Sequence, residues 1–337
     1  MPDRSRGTRD HDRHELRCYR ARIATRPPTA VPTAVPTSSL WPMDRPSADD
    51  LDRASRALKA EPVSWRGVTR GGQTAASRWV ATLPDGSTRF VKVAHTDDTA
   101  SWIRDEHLFY ALAGPRPYLP AFLGWHDDGE RPVLVLEDLS EAAWPPPWTA
   151  GRVDAVLGCL REVADSEPPP DLPDARNSQF ALDAWPEVAA DPEPFLGLGL
   201  CSQGWLERHL EALSAASAAA RFEGDRLLHF DVRSDNLCLR NGRVVLIDWN
   251  FACLGNPVFD VAAWLPSLHA EGGPPPEQVL GTTDDVAAIA SLLAGNFGWR
   301  GAHPDIPEAP HVRPLQRKQS ATALPWAARA LGLPPPG

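Results

Sequence analysis

Residues 227–249, LLHFDVRSDNLCLRNGRVVLIDW, narrow the choice of folds more than any other stretch of this chain. They read as short apolar strands around a polar loop and a turn. Leu227-Leu228 leads into a segment carrying His229, Asp231, Asp235 and Asn236, and the apolar run 237–239 follows. Asn241-Gly242 is a two-residue hairpin signal, and 244–247 is a largely β-branched run that ends at Asp248. Asp231, Asn236 and Asp248 are therefore expected at strand ends on one side of a hairpin, where side chains face a cleft while strands stay fixed. Oxygen ligands of this kind suit Mg²⁺, a hard cation that takes a few protein oxygens together with substrate phosphates. The third acid is then free to accept a proton from a hydroxyl, which completes a set of parts for phosphoryl transfer.

The local alternative is a β-hairpin with an acidic loop, since Asp and Asn are common turn formers. Taken together, His229-Phe230-Asp231, Asn236 five residues after the aspartate, and Ile247-Asp248-Trp249 resemble a known pattern. It is that of the catalytic loop and metal-binding segment of the aminoglycoside phosphotransferase family, the kinase-like phosphotransferases. The resemblance implies ATP and Mg²⁺ as cofactors, Asp231 as the catalytic aspartate, and Asn236 and Asp248 as metal ligands. It also implies a protein-kinase-like α+β fold with two lobes, a small antiparallel β-sheet N-lobe and a mainly helical C-lobe.

With 337 residues, 42% of them hydrophobic, the chain can bury a substantial core and two lobes are a reasonable division. Its five cysteines show neither CxxC pairing nor metal spacing, which predicts a reduced, cytoplasmic protein. No run approaches the ~18 apolar residues that span a bilayer, so no membrane association is expected. Residues 1–47 stand apart, with nine Arg, no Lys, five acids and a Pro-Thr-Ala-Val repeat over 28–37. Proline at this density favours an extended chain. Such a leader is either dispensable or an arginine-rich arm for an acidic partner. The remaining chain carries 25 basic against 39 acidic residues, a net charge of −14. That balance excludes a nucleic-acid groove and favours a cationic ligand.

Residues 48–60 predict a short helix capped by Asp, with Leu51, Ala54 and Leu58 on one face. Strands are expected over 63–69, 77–83 and 88–94, the last two joined at Pro84-Asp85-Gly86-Ser87. The loop before the second strand contains Gly71-Gly72, where backbone N–H groups could approach phosphate oxygens; an ordinary loose hairpin fits equally well. Lys92 lies inside Phe90-Val91-Lys92-Val93, where a charge is costly without an anionic partner. The resemblance makes Lys92 the lysine on the α- and β-phosphates and Glu106, on a helix over 100–112, its partner. Without that context, a snorkelling edge lysine and a solvated glutamate serve as well.

Two further strands, 121–126 and 132–136, end at Glu137-Asp138-Leu139. In the family this segment is the hinge whose backbone reads the adenine edge; a plain strand end is the local alternative. Helices are expected over 152–164, 204–220, 282–297 and 312–331, with 168–173 and 192–194 as loops. Asp260 is expected to cap or anchor the catalytic loop. Only twelve residues separate it from Asp248 and no Ala-Pro-Glu follows, so the peptide-docking segment of a protein kinase is missing and a small-molecule hydroxyl acceptor is implied. Phe230 stands where the family usually has Gly. Arg233 could clamp the transferred phosphoryl group or pair with Asp235. The division that results is a leader over 1–47, a nucleotide-binding lobe over 48–138 and a catalytic, acceptor-binding lobe over 139–337. Aminoglycosides, amino alcohols, sugars and homoserine-like acceptors all remain open, as does a nucleotide-binding module without catalysis.

Overall fold

The structure, a computed structural model, describes residues 45–68, 76–178, 183–307 and 309–337. Nearly all of the leader, the loop with Gly71 and Gly72, and Glu308 lie outside the described residues. Those described fall within the unit Pro42–Gly337.

Its first element is helix α1, Ala48–Leu58. The cap is Ser47, whose Oγ accepts the Asp50 N–H, and not an aspartate. Asp49 and Asp50 instead fall in the first turn, where negative charge complements the helix dipole. Five antiparallel strands follow: β1 Ser64–Gly67, β2 Ser77–Thr82, β3 Thr88–Val93, β4 Phe122–His126 and β5 Val133–Glu137. They lie in the order β1-β2-β3-β5-β4. Alternation along the strands sends Val91, Val93, Val133 and Val135 into one core with Ala54 and Ala57 of α1. Gly124 of β4 permits this approach, because a Cβ there would sit 2.4 Å from the Ala57 carbonyl oxygen. Phe90, Leu134 and Leu136 join the opposite core, and by the same alternation Lys92 points that way. Helix α2, Asp97–Ala113, carries Ile103, Glu106, Phe109 and Tyr110 into that side, behind a capping box made by Thr96 and Thr99.

Helix α3, Ala150–Asp165, opens the second half, followed by α4 Trp185–Ala190, α5 Glu193–Leu196 and α6 Gln203–Ala218. Residues 192–194, expected as loop, lie at the start of α5, because proline is tolerated in a first helical turn. Strands β7 Leu237–Arg240 and β8 Arg243–Leu246 form the expected hairpin, with Asn241 and Gly242 at φ 51° and 76°. Strand β6, Arg226–Leu228, is not part of it. It pairs instead with β9, Cys253–Gly255, a strand the sequence reading did not identify. Helices α7 Val258–Ala270, α8 Pro276–Leu280, α9 Asp284–Ala302 and α10 Val312–Ala330 complete the chain. Helix α9 is buried along most of its length. No helix among the described residues is long and apolar enough to cross a membrane, and Cys159, Cys201, Cys238 and Cys253 are free thiols.

Candidate active site

The loop after β6 is fixed by its own backbone. Asp260, in the first turn of α7, accepts the N–H of His229 at 2.7 Å and that of Phe230 at 2.8 Å, one on each carboxylate oxygen. Burial lifts its carboxyl to about 6 against these two hydrogen bonds. His229 lies 2.8 Å from the Ile247 carbonyl through Nε2. A carbonyl only accepts, so Nε2 carries the proton and Nδ1 is free to accept the Asp231 N–H at 3.2 Å. Burial pushes the imidazole down to about 4, which keeps it in this neutral form. Phe230 has φ +63°, a left-handed conformation that glycine adopts without strain; here a phenylalanine holds it, with its ring near Phe259.

Asp231 emerges from this frame. Arg233 Nη1 donates to its Oδ1 at 3.0 Å and Asn236 Nδ2 to its Oδ2 at 2.9 Å. Burial pushes its carboxyl up to about 7, opposed by the Arg233 guanidinium. Arg233 also grips Asp235 with Nε and Nη2, at 2.9 and 3.2 Å. The expected pairing with Asp235 is therefore present, and the same guanidinium also sits on the Asp231 carboxylate.

Asn236 precedes β7 and Asp248 follows β8, at the same end of the hairpin. The Ile247 N–H donates to the Asn236 carbonyl at 2.9 Å, so the two segments stay side by side. The Asn236 side-chain oxygen is buried and accepts no hydrogen bond, an arrangement costly unless a cation or other donor completes it. Asp248 is held at φ +63°. Burial raises its carboxyl, but the Lys92 ammonium overrides this and brings it to about 2. One orphaned amide oxygen and one permanently ionised carboxylate fit Mg²⁺, which keeps few protein ligands. Among the described residues no group of three or more His, Cys, Asp or Glu could hold a metal.

Lys92 reaches this site from the sheet. Its Nζ donates to Glu106 Oε2 at 2.8 Å and to Asp248 Oδ1 at 2.5 Å. Burial disfavours the ammonium, yet the two carboxylates win and raise its pKa. Tyr110 hydroxyl donates to the other oxygen of Glu106 at 3.3 Å. Of the sequence-predicted residues, the structure thus joins Lys92, Glu106 and Asp248 in one group and Asp231, Arg233 and Asn236 in a neighbouring one. At 137–139, Glu137 pairs with Arg240 and accepts the Ala121 N–H, and Asp138 accepts from Ser140. The Leu139 carbonyl receives both the Ala142 N–H and the Trp144 indole.

Two residues escape the sequence reading. Glu271 ties the loop 229–236 to the start of the helical half, accepting from Ser234 Oγ at 2.6 Å and Trp148 Nε1 at 2.8 Å. No sequence signal marks it, since its partners lie 37 and 123 positions away. Arg78 is buried on β2 opposite Lys92. A charge directly before the apolar run Trp79-Val80-Ala81 is an anomaly akin to the one that marks Lys92.

The sequence model of the phosphotransferase enzyme family, APH, matches residues 66–304, well over half of the chain. No curated protein matches it. Among solved structures, an aminoglycoside phosphotransferase from Alicyclobacillus acidocaldarius is 16% identical with a TM-score of 0.56, covering 83% of this chain and 94% of that one. A choline/ethanolamine kinase family protein from Mesorhizobium loti is 16% identical with a TM-score of 0.54, over 84% and 98%. At this identity the likeness is one of fold: two lobes, α+β, protein-kinase-like.

Proposed function

This chain belongs to the phosphotransferase enzyme family, and from that membership we propose that it transfers the γ-phosphoryl group of ATP to a hydroxyl of a small molecule, with Mg²⁺ as cofactor. The observation that carries the reading is the pairing of Asp231 with Asn236: a buried carboxyl near neutrality, hydrogen-bonded to an amide whose own oxygen has no partner. A carboxyl at about 7 is matched to exchanging a proton at neutral pH. The neighbouring amide oxygen, with Asp248, would hold the metal. Bound Mg²⁺ would neutralise charge on the phosphates.

The rest is done by side chains of this chain. Asp231 accepts or orients the hydroxyl proton of the acceptor. Lys92, oriented by Glu106, holds the α- and β-phosphates and releases Asp248 in doing so. Arg233 stands beside Asp231, where a guanidinium stabilises the charge of a transferring phosphoryl group. The loop with Gly71 and Gly72, outside the described residues, is the candidate phosphate loop, and the backbone of residues 137–139 would read the adenine. Residues 48–138 form the nucleotide lobe and 139–337 the acceptor lobe, and the residues before Met43 are dispensable, whereas Ser47 caps the first helix. The −14 charge outside the leader favours a cationic acceptor. ADP release in the presence of Mg·ATP and a panel of amino sugars, amino alcohols and anionic sugars tests this. Amino-bearing acceptors should stimulate release, and stimulation should vanish in Asp231→Asn. Preference for an anionic sugar removes the cationic part; no stimulated release by any hydroxylated compound removes the proposal.

A further inference from the structure

Arg78 is a buried cation in the cleft to which the chemistry above assigns no part. It is the second residue of β2 and pairs in register with Lys92 across the β2–β3 ladder. Directly opposed residues project to the same face of a sheet, so the two cationic side chains emerge together on the face away from α1. Each is only 7% exposed. A guanidinium removed from water needs anions around it. Burial lowers its pKa, while the carboxylates of Asp248, Asp235 and Glu106 act on it in the opposite sense. These acids are shared: Asp248 and Glu106 also bond Lys92, and Asp235 bonds Arg233. Were Asp248 to hold a metal, Lys92 and Arg78 would lose part of the negative charge that now balances them, which a polyphosphate would restore.

We infer that Arg78 is a second phosphate-binding cation of the nucleotide site, adding a forked contact to the polyphosphate beside the point contact of Lys92. The inference rests on the phosphoryl-transfer reading above. Neighbouring strands lie about 4.8 Å apart, a span that a polyphosphate chain bridges. A planar guanidinium matches two phosphate oxygens at once, whereas an ammonium offers a single compact charge. The competing role is a strut that only steadies the surrounding carboxylates. A strut affects every ligand of the cleft alike, but a phosphate contact matters only for ligands that carry phosphate.

The test is a ladder of affinities for adenosine, ADP and ATP at fixed Mg²⁺, by calorimetry on the full chain, for wild type, Arg78→Gln and Arg78→Lys. Loss of a charge-assisted contact should weaken ATP by at least about ten-fold in Arg78→Gln, with adenosine within about two-fold of wild type. Arg78→Lys should recover part of the ATP affinity and remain at least about three-fold below wild type, since it keeps the charge without the fork. Unchanged ATP affinity, or a parallel loss of adenosine and ATP, overturns the inference. Should Arg78→Gln fail to fold, Arg78→Lys decides by the same comparison. A wild-type chain that binds adenosine and ATP equally overturns the underlying reading. One that prefers ATP, and keeps that preference in both variants, overturns only the role of Arg78.

Discussion

Lys92 is held in the cleft by side chains, and the start of the loop opposite it, residues 229–230, by backbone N–H groups. On the sheet side, Lys92 bridges Glu106 and Asp248, and any ligand that offers a better anion or a metal can exchange these partners. On the loop side, Asp260 takes two backbone N–H groups, and no ligand can replace it without reaching beneath the loop. The contrast separates a cation whose partners are exchangeable side chains from a carboxyl, Asp231, carried on a loop anchored through its backbone N–H groups. Positioning of this kind is what phosphoryl transfer requires.

The comparison breaks first at Asp231. In Asp231→Asn turnover should fall by roughly 10²–10⁴-fold, the usual range for a general base, while nucleotide affinity holds. Asp248→Asn should behave differently: Mg·ATP affinity falls and added Mg²⁺ partly restores it, because metal binding follows mass action. Steady-state turnover and nucleotide affinity across a Mg²⁺ titration distinguish the two. Rescue of Asp231→Asn by Mg²⁺, or retention of more than about a tenth of its turnover, would show that the roles are wrongly assigned.

Next in size is the cost of opening each lock. Lys92→Met removes the ammonium that Glu106 and Asp248 share and leaves Arg78 as the cation acting on both, so about 1–3 kcal/mol of stability should be lost. Asp260→Ala strands two buried N–H groups, at about 1–3 kcal/mol each. The two sites share no partner, so a double variant should lose the sum of the single losses in urea unfolding. A clear shortfall from additivity would mean that the locks are one network and the contrast between them is false.

A smaller effect comes from the acidity of Asp260. Its folded carboxyl, at about 6, keeps a proton over pH 4–6 that the unfolded one has released. Stability from this group therefore falls as the pH rises through that window and levels off above it. In Asp260→Asn the fall should be shallower by up to about 2 kcal/mol. Parallel curves for the two proteins would mean that the two hydrogen bonds outweigh burial and the carboxyl is ionised throughout.

The smallest effect sharpens the account of the loop backbone. Alanine normally exceeds glycine in stability, but at φ +63° a side chain costs about 1–2 kcal/mol. Phe230→Gly should therefore be more stable than Phe230→Ala by roughly 1 kcal/mol, measured by denaturant midpoints. The usual order, with alanine ahead, would show that the left-handed conformation is not imposed on this position by the loop.

Much of the fold is legible where the signal is local. The Asn241-Gly242 turn declares itself because both positions need positive φ, and the strands around Lys92 alternate cleanly between two cores. Strand β9 is not legible: Cys253-Leu254-Gly255 is too short to show a period, and its partner lies at 226–228. The Ser47 cap is obscured by the acids that follow it within the first turn, and α5 by prolines that suit a helix start as well as a loop. Arg78 carries an anomaly akin to that of Lys92, yet only strand pairing reveals that the two share a face.

The sequence by itself determined the order and spacing of the parts: a lysine in an apolar strand, a glutamate on the next helix, and Asp231, Asn236 and Asp248 around one hairpin. Those depend on turn chemistry, periodicity and motif spacing, which act over a few residues. Tertiary structure alone decided which oxygens Lys92 meets, one of them 156 positions away, and that Asp231 rises to about 7 while Asp248 falls to about 2. The two aspartates are chemically identical. Burial and through-space charge, absent until the chain has folded, bring one near neutrality and keep the other an anion.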